Sequence, residues 1–167
     1  MIKKLYNKIT IIILTLMILV SLALIGPSLL GYKPFVVLSG SMEPSLQVGS
    51  MTYVKPSIPE NISTGDIITY TMTGNSTKLI THRVVSIDNT KKQFITKGDA
   101  NNAVDGPVAF ERLVGKAVFS IPYLGYAIAY IKTTQGIIVV GSILIIMVFI
   151  TIIPELIKIK VKKQPKH

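Results

Sequence analysis

Two long stretches of the chain carry no charge, and between them the apolar residues come in short, broken runs. Residues 9–30 form the first uncharged stretch. A helix over them would extend about 33 Å at ~1.5 Å per residue, enough to cross a hydrocarbon layer of about 30 Å. Pro27 is compatible with a kink or an exit near its end. The second stretch, GIIVVGSILIIMVFITII (136–153), lies at the short end of the spanning range of roughly 17–25 residues. It is apolar all round apart from Ser142 and Thr151, whereas a helix packed on a soluble core would show a polar face. Pro154 closes it. The pattern predicts two transmembrane helices.

The segment between them has a different rhythm. PFVVL (34–38), SMTYVKP (50–56), DIITYTM (66–72), KLITHRVVSID (78–88), KQFITKG (92–98) and LVGKAVFSI (113–121) are rich in β-branched and aromatic residues. Pro59, Gly65, the TGNST stretch, Asp88-Asn89 and Gly98-Asp99 punctuate them as turns. These runs predict a mainly β fold: antiparallel hairpins forming a small barrel-like domain, or a sandwich, between the two membrane helices. The expected organisation is a cytoplasmic N-terminus (1–8), a transmembrane helix (9–30), an extracytoplasmic β-rich domain (31–135), a second transmembrane helix (136–153) and a basic cytoplasmic tail (154–167).

Charge gives this arrangement its direction. The 167 residues carry a net charge of +10. Lys3, Lys4 and Lys8 precede the first apolar run, and Lys158, Lys160, Lys162, Lys163 and Lys166 follow the second. Lysines that flank apolar spans mark the cytoplasmic side, so both termini are expected there and the middle faces outward. A nucleic-acid binder would place its basic patch on the folded domain instead. Ser21-Leu22-Ala23 resembles the small-x-small site of a cleaved signal peptide. Leu24, Ile25, Leu29 and Leu30 carry the apolar run past it, which favours a retained anchor. The chain has no cysteine, which excludes disulfides, thiolate catalysis and Cys-ligated zinc. With one histidine in the outward segment, no metal and no cofactor are expected.

One polar turn interrupts this apolar plan. FVVL runs directly into SGSMEPSL (39–46). His82 lies in the strand-like run LITHRVVSI, where alternation places Ile80, His82 and Val84 on one face and Arg83 on the other. The loop TKGDANNAVDGPV carries Asp99 and Asp105. Each feature has a plain structural explanation: a turn serine, a core histidine, two turn aspartates. Together they are the parts of a Ser-His-Asp site, in which a histidine takes the serine proton and a carboxylate orients the ring. The Ser41 backbone N–H and the Ser39 hydroxyl are candidate oxyanion donors, and Gly40 would allow a substrate backbone to approach. By composition alone this constellation is weak.

The stretches SGSMEPSL, VGSMTYV (48–54), GDIITY (65–70), THRVVSI (81–87) and GDANNAVD (98–105) resemble the motifs of type I signal peptidases. His82 stands where the common bacterial form has a lysine, so the similarity is to the endoplasmic-reticulum-type branch, found also in archaea and some Gram-positive bacteria. Ala100 is a departure from that branch's G-D-N-N-A-x-x-D loop. The resemblance implies a membrane-bound serine endopeptidase that cleaves signal peptides after small residues at −1 and −3. Ser41 takes the nucleophile position and His82 the base position. Asp105 is the first choice as partner of His82, with Asp99 a second acid or a loop organiser. Phe35 and Val37, in the run 35–38, are expected to line the substrate cleft. A Ser-Lys dyad using Lys78 or Lys97 is disfavoured, because neither occupies the family's lysine position. The implied partners are preproteins, the lipid bilayer and the secretion machinery. The alternative is a catalytically silent, membrane-anchored β domain with an accessory or binding role.

Overall fold

The computed structural model describes residues 2–162, with the side chains of 2–7, 75–76 and 150–162 left aside. Most of the basic tail's charge, and Lys3 and Lys4, therefore fall outside the described side chains. The chain divides into two units. One holds Ser21–Ala127; the other holds the first part of helix α1 and everything from Ile128 onward.

Helix α1 (Ile2–Leu29) follows from the first apolar run. Its segment Lys8–Leu29, 22 residues, is long and apolar enough to cross a membrane, and none of it is buried. The helix ends at Gly31, whose φ of +85° is the left-handed conformation glycine adopts without strain. Gly31 N donates to Ser28 O and Tyr32 N to Pro27 O, which satisfies carbonyls of the last turn.

Seven strands follow: β1 (Lys33–Val36), β2 (Met51–Lys55), β3 (Ile67–Met72), β4 (Asn75–Asp88), β5 (Gln93–Lys97), β6 (Val108–Ala109) and β7 (Leu113–Ile121). They form one antiparallel sheet in the order β1-β2-β7-β3-β4-β5-β6. The run 78–88 extends further than its apolar pattern predicts. Met72 pairs with Asn75 across a two-residue turn, and Gly74 supplies the positive φ that such a turn needs. The polar residues expected to form a loop therefore join β4. The two-residue strand β6 was too short to register as a pattern.

The core lies on one face of β3, β4 and β5. Ile68, Tyr70, Val84 and Phe94 are buried there with Ile62 and Val108, and Ile80, Ile87, Phe110 and Leu113 pack against them. Phe94 and Phe110 sit with ring centroids 4.5 Å apart. Each large side chain buried this way contributes about 1.5–3 kcal/mol. The alternation expected around His82 places Ile80 and Val84 in or against this core.

Leu124–Ile131 forms a helix, α2. Its Gly125 is buried, and a Cβ there would meet Gly49 O at 2.7 Å. In the other unit, α3 (Thr134–Lys162) starts with Thr133 Oγ1 accepting from Gly136 N at 3.0 Å. Thr134–Phe149, the part of α3 whose side chains are described, reaches the spanning length only when counted together with α2. The architecture established here is a mainly antiparallel sheet with one N-terminal apolar helix.

Candidate active site

The strand β1 continues as an irregular segment held against β2. Val37 N donates to Ser50 O, and Gly49 N donates back to Val37 O. The backbone is extended at Ser39 and then tightens into a single 3-10 turn over Gly40–Met42. Met42 and Leu46 are buried and plug this turn into the domain. The apolar approach and the polar turn thus do separate jobs: Phe35–Val37 run along a groove, Met42 anchors, and Ser41 is left at the groove's end. Gly40 is not forced by its neighbours, since a Cβ would lie 3.4 Å from the Glu43 carboxyl, an ordinary contact.

His82 reaches this turn from β4. Its Nε2 lies 3.1 Å from Ser41 Oγ, and its Nδ1 lies 2.5 Å from Asp105 Oδ2. Its side chain is only 10% exposed. An ionised carboxylate can only accept, so Nδ1 carries the hydrogen and Nε2 presents its lone pair to the serine hydroxyl. Asp105 sits in the segment between β5 and β6, where its N–H donates to Thr96 O at 2.7 Å. The expected Ser41, His82 and Asp105 are therefore brought into one hydrogen-bonded line. Ser39 Oγ is 3.4 Å from Ser41 Oγ, beside the same point.

Asp99 takes a different partner. Arg83, on the opposite side of β4 from His82, donates from Nε to Asp99 Oδ1 at 2.8 Å and from Nη2 to Oδ2 at 2.6 Å. The same guanidinium reaches Ser45 Oγ at 3.0 Å and Gly65 O at 2.9 Å. This fork ties the serine turn, the acidic loop and β4 together. The Arg83 hydrogen bonds hold the Asp99 carboxyl below its ordinary range, against the opposing effect of burial. At Asp66 burial pushes upward, but Lys116 at 2.6 Å and the Ser63 N–H prevail and lower it. A carboxyl lowered in the folded state stabilises the fold above its unfolded pKa, near ~3.9, and that stability is lost as pH falls through the lower folded value. The domain should therefore lose stability below about pH 4, and Asp99→Asn should flatten this acid loss. Thermal unfolding of parent and variant at neutral pH and in the acid range measures it; equal acid losses in both would remove Asp99 from the account.

The loop also touches the serine directly. Ala100 N donates to Ser41 O at 2.9 Å. Gly98 is so close that a Cβ there would lie 2.5 Å from Ser41 O and 2.7 Å from Asn101 Nδ2. Sequence reasoning took Gly98 as a turn signal and as the first residue of the GDANNAVD motif, not as a contact of the serine turn. It gave no such role to Ser45 and the Gly65 carbonyl, the further partners of Arg83, or to Tyr70 and Thr96, which both point at Asp105. The available signal was Thr96 itself: a hydroxyl two residues after Phe94, at an inward position of a strand, needs a buried partner.

A cleft of about 310 Å³ leads to Ser41. One wall is Phe35–Ser39, the other is Leu79–His82 on β4, and Met42, Leu46 and Thr52 lie beneath. Phe35 and Val37 line this cleft. β1 is the outermost strand on its side of the sheet, so its outer edge has no strand partner among the described residues.

Comparison with known proteins gives the chain a family. The family described as "Signal peptidase, peptidase S26" matches residues 7–91, which include Ser41 and His82 and stop short of both loop acids. Signal peptidase I W of Bacillus subtilis is 37% identical over 122 residues, covering 66% of this chain and 63% of that protein. The signal peptidase complex catalytic subunit SEC11 of Metarhizium acridum is 36% identical over 102 residues, 54% of this chain and 59% of its own length. The human subunit SEC11C is 33% identical over 102 residues, 54% and 52% of the two chains. The matches thus span 52 to 63% of these relatives. The chain belongs to the peptidase S26 family of signal peptidases, in its endoplasmic-reticulum-type branch.

Proposed function

We propose that the protein is a membrane-bound serine endopeptidase that removes N-terminal signal peptides from exported preproteins, cutting after small residues at −1 and −3. The observation that carries this reading is the line from Ser41 Oγ through His82 to Asp105, at 3.1 and 2.5 Å, at the end of a cleft beside the outermost strand β1.

In this mechanism the signal peptide lies in extended form along Phe35–Leu38, and its small side chains enter the cleft. His82 Nε2 takes the Ser41 proton as Oγ attacks the scissile carbonyl. The ring is then an imidazolium, steadied by Asp105. It returns the proton to the leaving amine, and a water repeats the sequence to release the acyl group. Ser39 Oγ and the Ser41 backbone N–H stabilise the oxyanion, and Gly40 leaves the substrate backbone room to approach. Arg83 and Asp99 do not touch the reacting atoms; they hold the serine turn and the loop in register.

Helix α1 anchors the domain as a retained span. A second span, built from residues 136–153, would leave both termini in the cytoplasm and the sheet on the outer face, as the flanking lysines require. Preproteins and the bilayer are the partners, with the secretion machinery as the source of substrate.

The experiment is incubation of the purified protein with a panel of preproteins, with mass spectrometry of the products. Cuts should follow small residues at −1 and −3, and bulky residues there should abolish them. Cuts without that preference would overturn the specificity. A second expected result concerns the loop: Gly98→Ala must displace Ser41 or Asn101, and should lower kcat/KM roughly 10²-fold, the scale of a 1 Å misplacement. Parent-like kcat/KM in a folded Gly98→Ala protein would show that the loop does not set the serine.

A further inference from the structure

Three donors converge on a single oxygen of Asp105. Around Oδ2 lie His82 Nδ1 at 2.5 Å, Thr96 Oγ1 at 2.6 Å and Tyr70 OH at 3.4 Å. Tyr70 OH and Thr96 Oγ1 are themselves 3.1 Å apart. Thr96 is fully buried and Tyr70 is 2% exposed.

The hydrogens can be assigned. The carboxylate has none to give, so Thr96 directs its one hydroxyl hydrogen at Oδ2. Tyr70 then shares its own between Thr96 Oγ1 and Oδ2. Burial raises the Tyr70 pKa, which keeps the phenol a donor throughout the neutral range. Its ring is held in turn by Arg112, whose guanidinium lies 5.5 Å from the ring centroid and whose Nε donates to Thr71 O at 2.8 Å. Thr96 grips Asp105 twice, since its carbonyl also accepts the Asp105 N–H at 2.7 Å.

Asp105 needs such a grip. It lies outside the strands, and its side chain is 24% exposed. A second cleft, of about 240 Å³ and lined by Tyr70, Asp105, Gly106, Pro107 and Arg112, opens onto it. Without a fixed donor the carboxylate could turn toward that opening and leave Nδ1 unpartnered.

We propose that Thr96, backed by Tyr70, is a positioning residue that locks the Asp105 carboxylate onto His82 Nδ1 and so keeps the base in its working tautomer. The inference rests on the catalytic reading of Ser41, His82 and Asp105.

Thr96→Val keeps the shape and β-branching of the residue and removes the hydroxyl. In the full-length protein in detergent, with a preprotein substrate, it should lower kcat about 10- to 100-fold, the scale of one hydrogen bond to a charged group, with KM within about twofold. Thr96→Ser should restore kcat to within about threefold of the parent. The downfield proton resonance of His82 Nδ1–H, assigned by its loss in His82→Ala, should move in Thr96→Val and return in Thr96→Ser. Parent-like kcat in Thr96→Val, equal losses in the valine and serine variants, or a loss confined to KM would each overturn the proposal. Should Thr96→Val be recovered unfolded, Tyr70→Phe decides. A fall in kcat of about 3- to 10-fold at unchanged KM supports the lock, and parent-like kcat overturns it. Ser41→Ala run in parallel separates the two levels. If it cuts as fast as the parent, the catalytic reading falls and takes the lock with it. If it is inactive while Thr96→Val behaves as the parent, only the lock falls.

Discussion

His82→Ala is expected to lower the turnover number for preprotein cleavage about 10⁴- to 10⁶-fold, with little change in KM. A serine hydroxyl is a weak nucleophile at neutral pH and needs a base within hydrogen-bond reach. The group hydrogen-bonded to Ser41 Oγ is His82 Nε2, at 3.1 Å. His82 is one of many residues lining the cleft, so under the proposed binding mode most substrate affinity should survive its loss. Steady-state kinetics with a soluble preprotein check the split between kcat and KM. A variant with parent-like kcat would remove His82 from the base position.

The second large effect is expected at Asp105. Asp105→Asn keeps the size of the side chain and can keep a hydrogen bond to Nδ1, but it offers an NH₂ group where a charged acceptor stood. The ring can then accept at Nδ1 and carry its hydrogen on Nε2, which leaves nothing to take the Ser41 proton. Loss of the carboxylate also removes the charge that steadies the imidazolium. Together these should lower kcat about 10³- to 10⁴-fold, the range seen when a triad acid is exchanged for its amide. Asp99→Asn is the informative contrast. Asp99 pairs with Arg83 and not with the ring, so its loss should act mainly on acid stability. If Asp99→Asn lost more activity than Asp105→Asn, the two acids would have to exchange roles.

Much of this arrangement was legible before the fold was known, and the reasons are specific. The strands carrying Phe35, His82 and Phe94 announced themselves through β-branched runs bounded by turns. Strand alternation alone was enough to separate His82 from Arg83. What the sequence hid is what depends on partners distant in the chain. Nothing local distinguishes Asp99 from Asp105, since each precedes or follows a glycine in a turn-like stretch. They are told apart by β4, which offers Arg83 on one side and His82 on the other. The inserted Ala100 looked like a break in a motif, yet its contribution is a backbone N–H to Ser41 O, which any non-proline residue could provide. Gly98 was legible as a turn and motif residue, but not as a position where a Cβ would lie 2.5 Å from Ser41 O. Thr96 and Tyr70 were hidden for a similar reason: buried hydroxyls show their purpose only once their acceptor is known. The second apolar run was read as a span from its lack of charge, and its side chains are described only as far as Phe149.

The central claim is that Ser41 makes and breaks the acyl bond to the signal peptide. Its most direct test is to incubate the purified protein and its Ser41→Ala variant, matched in fold by circular dichroism, with one preprotein and to identify the products by mass spectrometry. The account predicts a single cut after a small residue for the parent and no product above background for the variant. A Ser41→Ala protein that cut the same bond at the parent's rate would contradict it.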